Sequence, residues 1–245
     1  MKKRRGPILI LIGLVLIIAA VGLVLYNNWD SDRAGRESEE IADLLESIII
    51  YDPAPVPTMD NGQPVALPDP QATPQPIEAV EPGEEETVPG ETDADTPPMA
   101  TVWIEEWRYI GVLELPTLNL KLPVLNRWSY AKLNVAPCRY YGSVYRNNMV
   151  ICGHNYATHF SPVRSIALGA DVYFTDVTGT RFHYVVSGTE TVQPMAVEDM
   201  IISDGEWDLT LFTCNIGGAT RFACRCKLVE VIEPENPTGE ADYSD

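Results

Sequence analysis

From Pro7 to Tyr26 the chain carries no charge and no strongly polar side chain. Twenty helical residues rise about 30 Å, the thickness of a bilayer's hydrocarbon core, so the pattern predicts a membrane-spanning helix. Ser38 to Ile50 is different in kind. Ile41, Leu44, Leu45, Ile48 and Ile49 recur there at helical spacing among polar residues, which predicts a short amphipathic helix. From Tyr51 to Pro98 the apolar pattern lapses, and beyond it short runs return. Tyr109–Leu115, Leu118–Leu125, Met149–Cys152, Asp171–Val177, Thr180–Ser187, Leu209–Cys214 and Phe222–Ile232 read as strands, punctuated by Pro, Gly and Asn. Asn126–Val135, Ser161–Leu168 and Val197–Ser203 read as short helices or helical turns between them. Spaced strands with turn signals across residues 101–233 predict a mostly β domain, a closed barrel or a sandwich.

Charge refines this division. The formal charge is −18, but residues 51–100 hold eleven Asp or Glu and no Lys or Arg, together with twelve prolines. Such a segment buries too little surface to offset its ordering entropy, which predicts a disordered, extended acidic linker. Residues 101–233 hold thirteen acids against eleven bases, so the folded part is nearly neutral and has no clustered basic footprint for nucleic acid. Residues 234–245 form an acidic tail. Lys2, Lys3, Arg4 and Arg5 precede the apolar run, which predicts a cytoplasmic N-terminus, with everything after Tyr26 on the outer side. The run is longer than the apolar core of a signal peptide, and Asn27-Asn28-Trp29-Asp30 does not resemble a cleavage site. The expected organisation is therefore residues 1–29 as basic start and anchor, 30–50 as membrane-proximal helix, 51–100 as linker, 101–233 as the folded domain and 234–245 as tail.

Five cysteines, at 138, 152, 214, 224 and 226, leave at least one thiol free outside the cell, with a disulfide through Cys138 left open. Leu209 to Cys214 is an apolar strand that ends in Thr-Cys and opens onto Asn-Ile-Gly-Gly. The next strand begins at Arg221. Upstream, Met149-Val-Ile-Cys-Gly-His-Asn sets His154 just past an apolar strand. Three chemically capable groups at strand ends suit nucleophilic catalysis, because the thiolate attacks and a nearby cation favours the thiolate. Cys152, Cys224 and Cys226 sit in apolar strands and read as small hydrophobes. Cys224-x-Cys226 lacks a second pair for a metal site. His159 and His183 read as structural or surface residues. Alternation puts Arg225 on the same face as Arg221, so spacing leaves it a rival.

Taken together these residues resemble the sortase family. Thr-Leu-Phe-Thr-Cys, residues 210–214, is similar to that family's T-L-x-T-C signature; Gly153-His154-Asn155 resembles its histidine turn; and Arg221 opens the following strand as the family's arginine does. Ile110-Gly-Val-Leu-Glu-Leu-Pro and Leu122-Pro-Val-Leu look like its opening strands. The resemblance implies a closed β-barrel of about eight strands with short helices. It implies a cell-surface cysteine transpeptidase of the Gram-positive type that cleaves an LPXTG-like sorting motif and transfers the acyl group to an amine of a cell-wall precursor or pilin. In that reading Cys214 is the nucleophile, His154 the general acid and base, and Arg221 the oxyanion donor. Thr213 and Asn155 contact substrate, and neither metal nor organic cofactor is needed. Two alternatives stand beside it. A catalytically silent scaffold binding sorting peptides would not need to keep Cys214, His154 and Arg221 together. An L,D-transpeptidase resembles S-x-G-C, which Thr-Phe-Thr-Cys does not fit.

Overall fold

The structure is a computed structural model that describes residues 6–51, 53–57, 67, 99–194, 196–201, 205–215 and 218–234. The expectations of a disordered linker and of an acidic tail fall almost wholly outside these residues.

One helix, α1 (Gly6–Tyr51), runs without a break through both the apolar stretch and the amphipathic stretch. No proline interrupts it, and the segment between the two stretches holds good helix formers such as Arg33, Ala34, Arg36 and Glu37. Its first half is uncovered by the rest of the chain and is long and apolar enough to cross a membrane. Its second half is docked. Ser31, Ala34, Ser38, Ala42 and Leu45 are buried at helical spacing.

The strands are β1 (Val102–Ile104), β2 (Trp107–Leu115), β3 (Leu120–Leu125), β4 (Cys138–Tyr141), β5 (Met149–Gly153), β6 (Asp171–Asp176), β7 (Arg181–Val192), β8 (Leu209–Cys214) and β9 (Arg221–Ile232), with short helices α2 (Tyr130–Leu133) and α3 (Val197–Ile201) between them. They form one sheet in the order β1-β2-β3-β4-β5-β8-β9-β7-β6, and β6 pairs back onto β2. Eight strands thus close into a ring, with β1 as a flap on the first part of β2. Closure decides between barrel and sandwich, and leaves the ring no long free edge.

Gly111 makes the closure possible. It lies at the bulge where β2 exchanges β1 for β6 as its neighbour. A Cβ there would stand 2.2 Å from the carbonyl oxygen of Thr175, so only glycine lets the two backbones meet.

Inside the ring, Ile110, Leu113, Leu115, Met149, Ile151, Phe174, Phe182, Leu209 and Leu211 form the main core. Cys224 and Cys226 face the same interior, their sulfurs 3.8 Å apart. A second core lies outside the ring, where Ala42 and Leu45 of α1 pack on Tyr109, Val112, Leu125, Cys138 and Cys152. Lys121 adds ion pairs to Asp43 (3.0 Å) and Glu46 (2.8 Å). The amphipathic helix and the barrel therefore share one hydrophobic layer across the division drawn at residue 50. Leu44 is the exception to the expected stripe; it is 46% exposed and faces away from the barrel.

Several expected elements shift. β4 was not evident in the sequence, because a bulge between Arg139 and Tyr141 breaks its alternation. β7 runs on through polar Ser187–Thr191 because β9 supplies partners as far as Val192. The three expected helices shrink to Tyr130–Leu133, a 3₁₀ turn at Pro162–Ser165, and Val197–Ile201.

Candidate active site

Three neighbouring strands bring the candidate residues to one rim. β8 lies between β5 and β9. Cys214, the last residue of β8, is the register partner of Arg221, the first of β9. On the other side Gly153 of β5 pairs in parallel with Thr213, so His154, one residue on, stands level with Cys214. Adjacent strands run about 4.8 Å apart, so the three backbones stand in the order His154, Cys214, Arg221. All three side chains are partly exposed, while the other four cysteines are buried.

The face they occupy follows from alternation along β8. Leu209 and Leu211 point into the main core, and Thr213 follows them. Its hydroxyl is buried, without a hydrogen-bond partner among the described residues. Phe212 and Cys214 point outward. Phe212 meets Tyr140 edge-on at 5.1 Å, and Tyr140 in turn meets Trp128 at 5.7 Å. An aromatic row thus borders the thiol on the β4 side. Thr213 can therefore offer the outer rim its backbone, whereas its side chain belongs to the interior.

Arg221 and Arg225 do lie on one face of β9, as alternation requires, but in different settings. The Arg221 guanidinium is partly exposed at the rim and donates to the carbonyl oxygens of Gly218 (3.1 Å) and Thr220 (3.4 Å). Arg225 is 3% exposed. It donates to Glu190 Oε1 at 2.7 Å, to Thr210 Oγ1 at 2.8 Å, and to the carbonyl oxygens of Met200 and Asp199. It also stacks over Trp207 at 4.3 Å. Arg225 is a buried clamp that fastens the α3 segment to the sheet, with its donors already engaged.

Gly153 and Phe160 position His154. A Cβ on Gly153 would come within 2.3 Å of the Phe160 ring, so only glycine lets the ring sit this close to the strand end. The Phe160 amide donates to the His154 carbonyl at 3.1 Å, closing the loop. The imidazole stacks on Tyr156, with ring centroids 3.9 Å apart and planes 21° from parallel. Burial lowers the His154 pKa, while Asn155 and the more distant Asp30 act in the opposite direction. Asn155, next to His154 on the same rim, is the second expected substrate contact and is partly exposed.

His159, expected to be structural or on the surface, is fully buried at the base of this loop against α1. Ser38 Oγ donates to the Val135 carbonyl at 2.8 Å and lies 3.0 Å from His159 Nε2. His183 sits on β7 beside Asp171, 2.8 Å away. Sequence reasoning missed Tyr156, Phe160 and Asp30. Their roles come from contacts between distant parts of the chain, and no local pattern marks them.

Residues 113–229, which include all three candidates, match the sequence model of a family described as Sortase domain. Sortase A of Bacillus anthracis is 26% identical over 125 residues, covering 49% of this chain. The match spans 59% of that relative's length, which is less than two thirds. Among solved structures, sortase C of Streptococcus pneumoniae is similar at 25% identity with a TM-score of 0.47, over 54% of this chain and 74% of that one. Sortase A of Corynebacterium diphtheriae is similar at 25% identity with a TM-score of 0.46, over 54% and 65%.

Proposed function

We propose that the chain, whose residues 113–229 match the Sortase domain model, is a sortase that acts as a cysteine transpeptidase on an LPXTG-like sorting peptide. The observation that carries this reading is the register. It seats Cys214 between His154 and Arg221 at three neighbouring strand ends, on the outward face.

In this reading the Cys214 thiolate attacks the carbonyl carbon of the scissile peptide bond. The electron pair moves onto the carbonyl oxygen, and the Arg221 guanidinium donates to that oxyanion. Its carbonyl partners at Gly218 and Thr220 hold it over the rim until substrate arrives. The C–N bond then breaks, and the His154 imidazolium protonates the departing amine. A thioester on Cys214 and a neutral imidazole remain. An incoming amine of a cell-wall precursor or pilin attacks the thioester, His154 takes its proton, and Cys214 leaves as thiolate. The cycle ends where it began, and the side chains named supply all of it.

The aromatic row of Phe212, Tyr140 and Trp128 gives the thiol an apolar flank that favours a peptide over a free amino acid. The apolar half of α1 serves as a single-pass anchor. It keeps the N-terminus in the cytoplasm and the barrel outside.

The test is incubation of the purified chain with a panel of LPXTG-like peptides and an amine, read by mass spectrometry. The ligated product and a Cys214 acyl adduct are expected. Cys214→Ala, His154→Ala and Arg221→Ala each lower the rate by about 100-fold or more, as loss of a nucleophile, acid–base or oxyanion group does. Absence of both product and adduct across the panel would overturn the proposal.

A further inference from the structure

Asp30 lies on α1, four residues beyond the end of the apolar stretch, yet it reaches the loop that carries His154. The Tyr156 hydroxyl donates to Asp30 Oδ2 at 2.6 Å, and the same Tyr156 ring is the one stacked on His154. The other carboxylate oxygen, Oδ1, accepts from Arg33 at 3.0 Å. A longer contact from the Tyr156 hydroxyl reaches Asn134 Oδ1 at 3.4 Å. Neighbouring contacts tie the same two segments together. Thr158 Oγ1 donates to the Ser31 carbonyl at 2.7 Å, and Gly35 lies so close to Thr158 that a Cβ would come within 2.7 Å of it.

We propose that Asp30 is a positioning residue for His154, acting through Tyr156, so that the helix leaving the apolar stretch holds the imidazole in its working orientation. The proposal rests on the reading of His154 as the acid and base of the transfer.

The geometry argues for positioning over simple docking. A stacked ring fixes the plane of the imidazole but leaves it free to slide. Anchoring the hydroxyl end of Tyr156 to a second element removes that freedom. A carboxylate is also the acceptor best suited to fix a phenol hydroxyl, since charge-assisted hydrogen bonds are the shorter and stronger kind. Asp30 adds a second effect by favouring the protonated form of His154 against burial. The other titratable or charged groups around the imidazole are Cys214 on the neighbouring strand, Tyr156 itself, Arg33, which pairs with Asp30 and Glu37, and His159 behind the loop.

The experiment uses the full chain in detergent micelles. It compares Asp30→Asn, Tyr156→Phe and Lys121→Met. Tyr156→Phe keeps the stacked ring and loses only the hydroxyl. Lys121→Met loosens α1 at its far end, at Asp43 and Glu46, without touching the His154 loop. His154 is followed by NMR titration and by the pH profile of kcat/KM for peptide transfer. Asp30→Asn is expected to lower the His154 titration midpoint and move the limb of the profile that reports His154 to lower pH. Both Asp30→Asn and Tyr156→Phe are expected to reduce kcat about three- to tenfold with little change in KM, a fraction of what a whole acid–base group contributes. Lys121→Met should leave titration and profile in place.

The proposal is overturned if Asp30→Asn leaves both the titration and the profile unchanged, or if Lys121→Met shifts them equally, since docking alone would then account for the effect. The NMR titration does not depend on turnover. Failure of the transpeptidase reading, seen as activity surviving in His154→Ala, is thereby distinguished from failure of this one.

Discussion

Leu45→Ala tests whether α1 is part of the folded domain or a stalk beside it. Leu45 is fully buried between α1 and the outer face of the ring, among Tyr109, Val112 and Leu125. The substitution removes three carbon groups at about 0.8 kcal/mol each, or about 2.4 kcal/mol of transfer free energy. The cavity left behind adds to this, which places the expected loss at about 2.5–4 kcal/mol. Urea unfolding provides the assay, because Trp107 and Trp128 are partly buried against the same layer and report its exposure by fluorescence. With a urea m-value of about 2 kcal/mol/M, the midpoint should fall by about 1–2 M. Leu44→Ala is the control. Leu44 is one residue away on the same helix but faces solvent, and its replacement should stay within about 0.5 kcal/mol. Equal midpoints for the two variants, or a barrel transition that Leu45→Ala leaves in place, would refute the shared layer and return residues 30–50 to the role of a separate element.

Four further outcomes are expected. Arg225→Met strips the clamp from Thr210, Glu190 and the α3 carbonyls and should cost about 2–4 kcal/mol, allowing for a Glu190 partner that keeps some access to water; Arg221→Lys should leave thermal stability unchanged while peptide transfer falls steeply. Gly153→Ala drives a methyl group into the Phe160 ring and should cost about 1–3 kcal/mol, with disturbed His154 resonances and slower transfer in the fraction that remains folded. His159 provides a pH test. Burial holds its pKa down at about 4, so between about pH 6.5 and 4 the unfolded chain binds the extra proton. Stability is complete above that window and is lost as pH falls through it, by about 3 kcal/mol in all. A His159→Gln variant should show a flatter acid limb in chemical denaturation, and an unchanged slope would remove His159 as its source.

Much of the fold was legible because it is written locally. β8 was readable to the residue, since Leu209, Leu211 and their neighbours are an apolar run closed by a polar turn. The ring was legible only as a choice between barrel and sandwich, because the β2–β6 contact that closes it depends on Gly111 meeting the Thr175 backbone across more than sixty residues. β4 escaped because its bulge spoils the alternation that would reveal it. The unbroken α1 was read as two helices, since nothing apolar joins them; its continuity comes from helix propensity, and its docking from the small residues Ser31, Ala34, Gly35 and Ser38. At the candidate site, Cys214 and His154 stand out by their strand-end context. Arg221 and Arg225 share a face, and only burial distinguishes a rim guanidinium from a clamped one. Asp30 and Tyr156 are 126 positions apart, and no periodicity connects them.

The Pro-rich acidic segment acquires another meaning from where its described ends lie. Just after α1, the Ala54 amide donates to the Val177 carbonyl at 2.8 Å; Leu67 packs against the ring's core, and Met99 is buried in it. The described residues on either side of the segment thus rest on the barrel, so the thiol's distance from the apolar stretch does not depend on it. That standoff belongs to α1. From Tyr26 to Asp30 the helix climbs only about 6 Å, and at Asp30 it is already fastened to the histidine loop. In any bilayer that the apolar stretch crosses, the rim that carries Cys214 is then held near the headgroups at a set reach. For a partner anchored in that same surface, the search is confined to two dimensions.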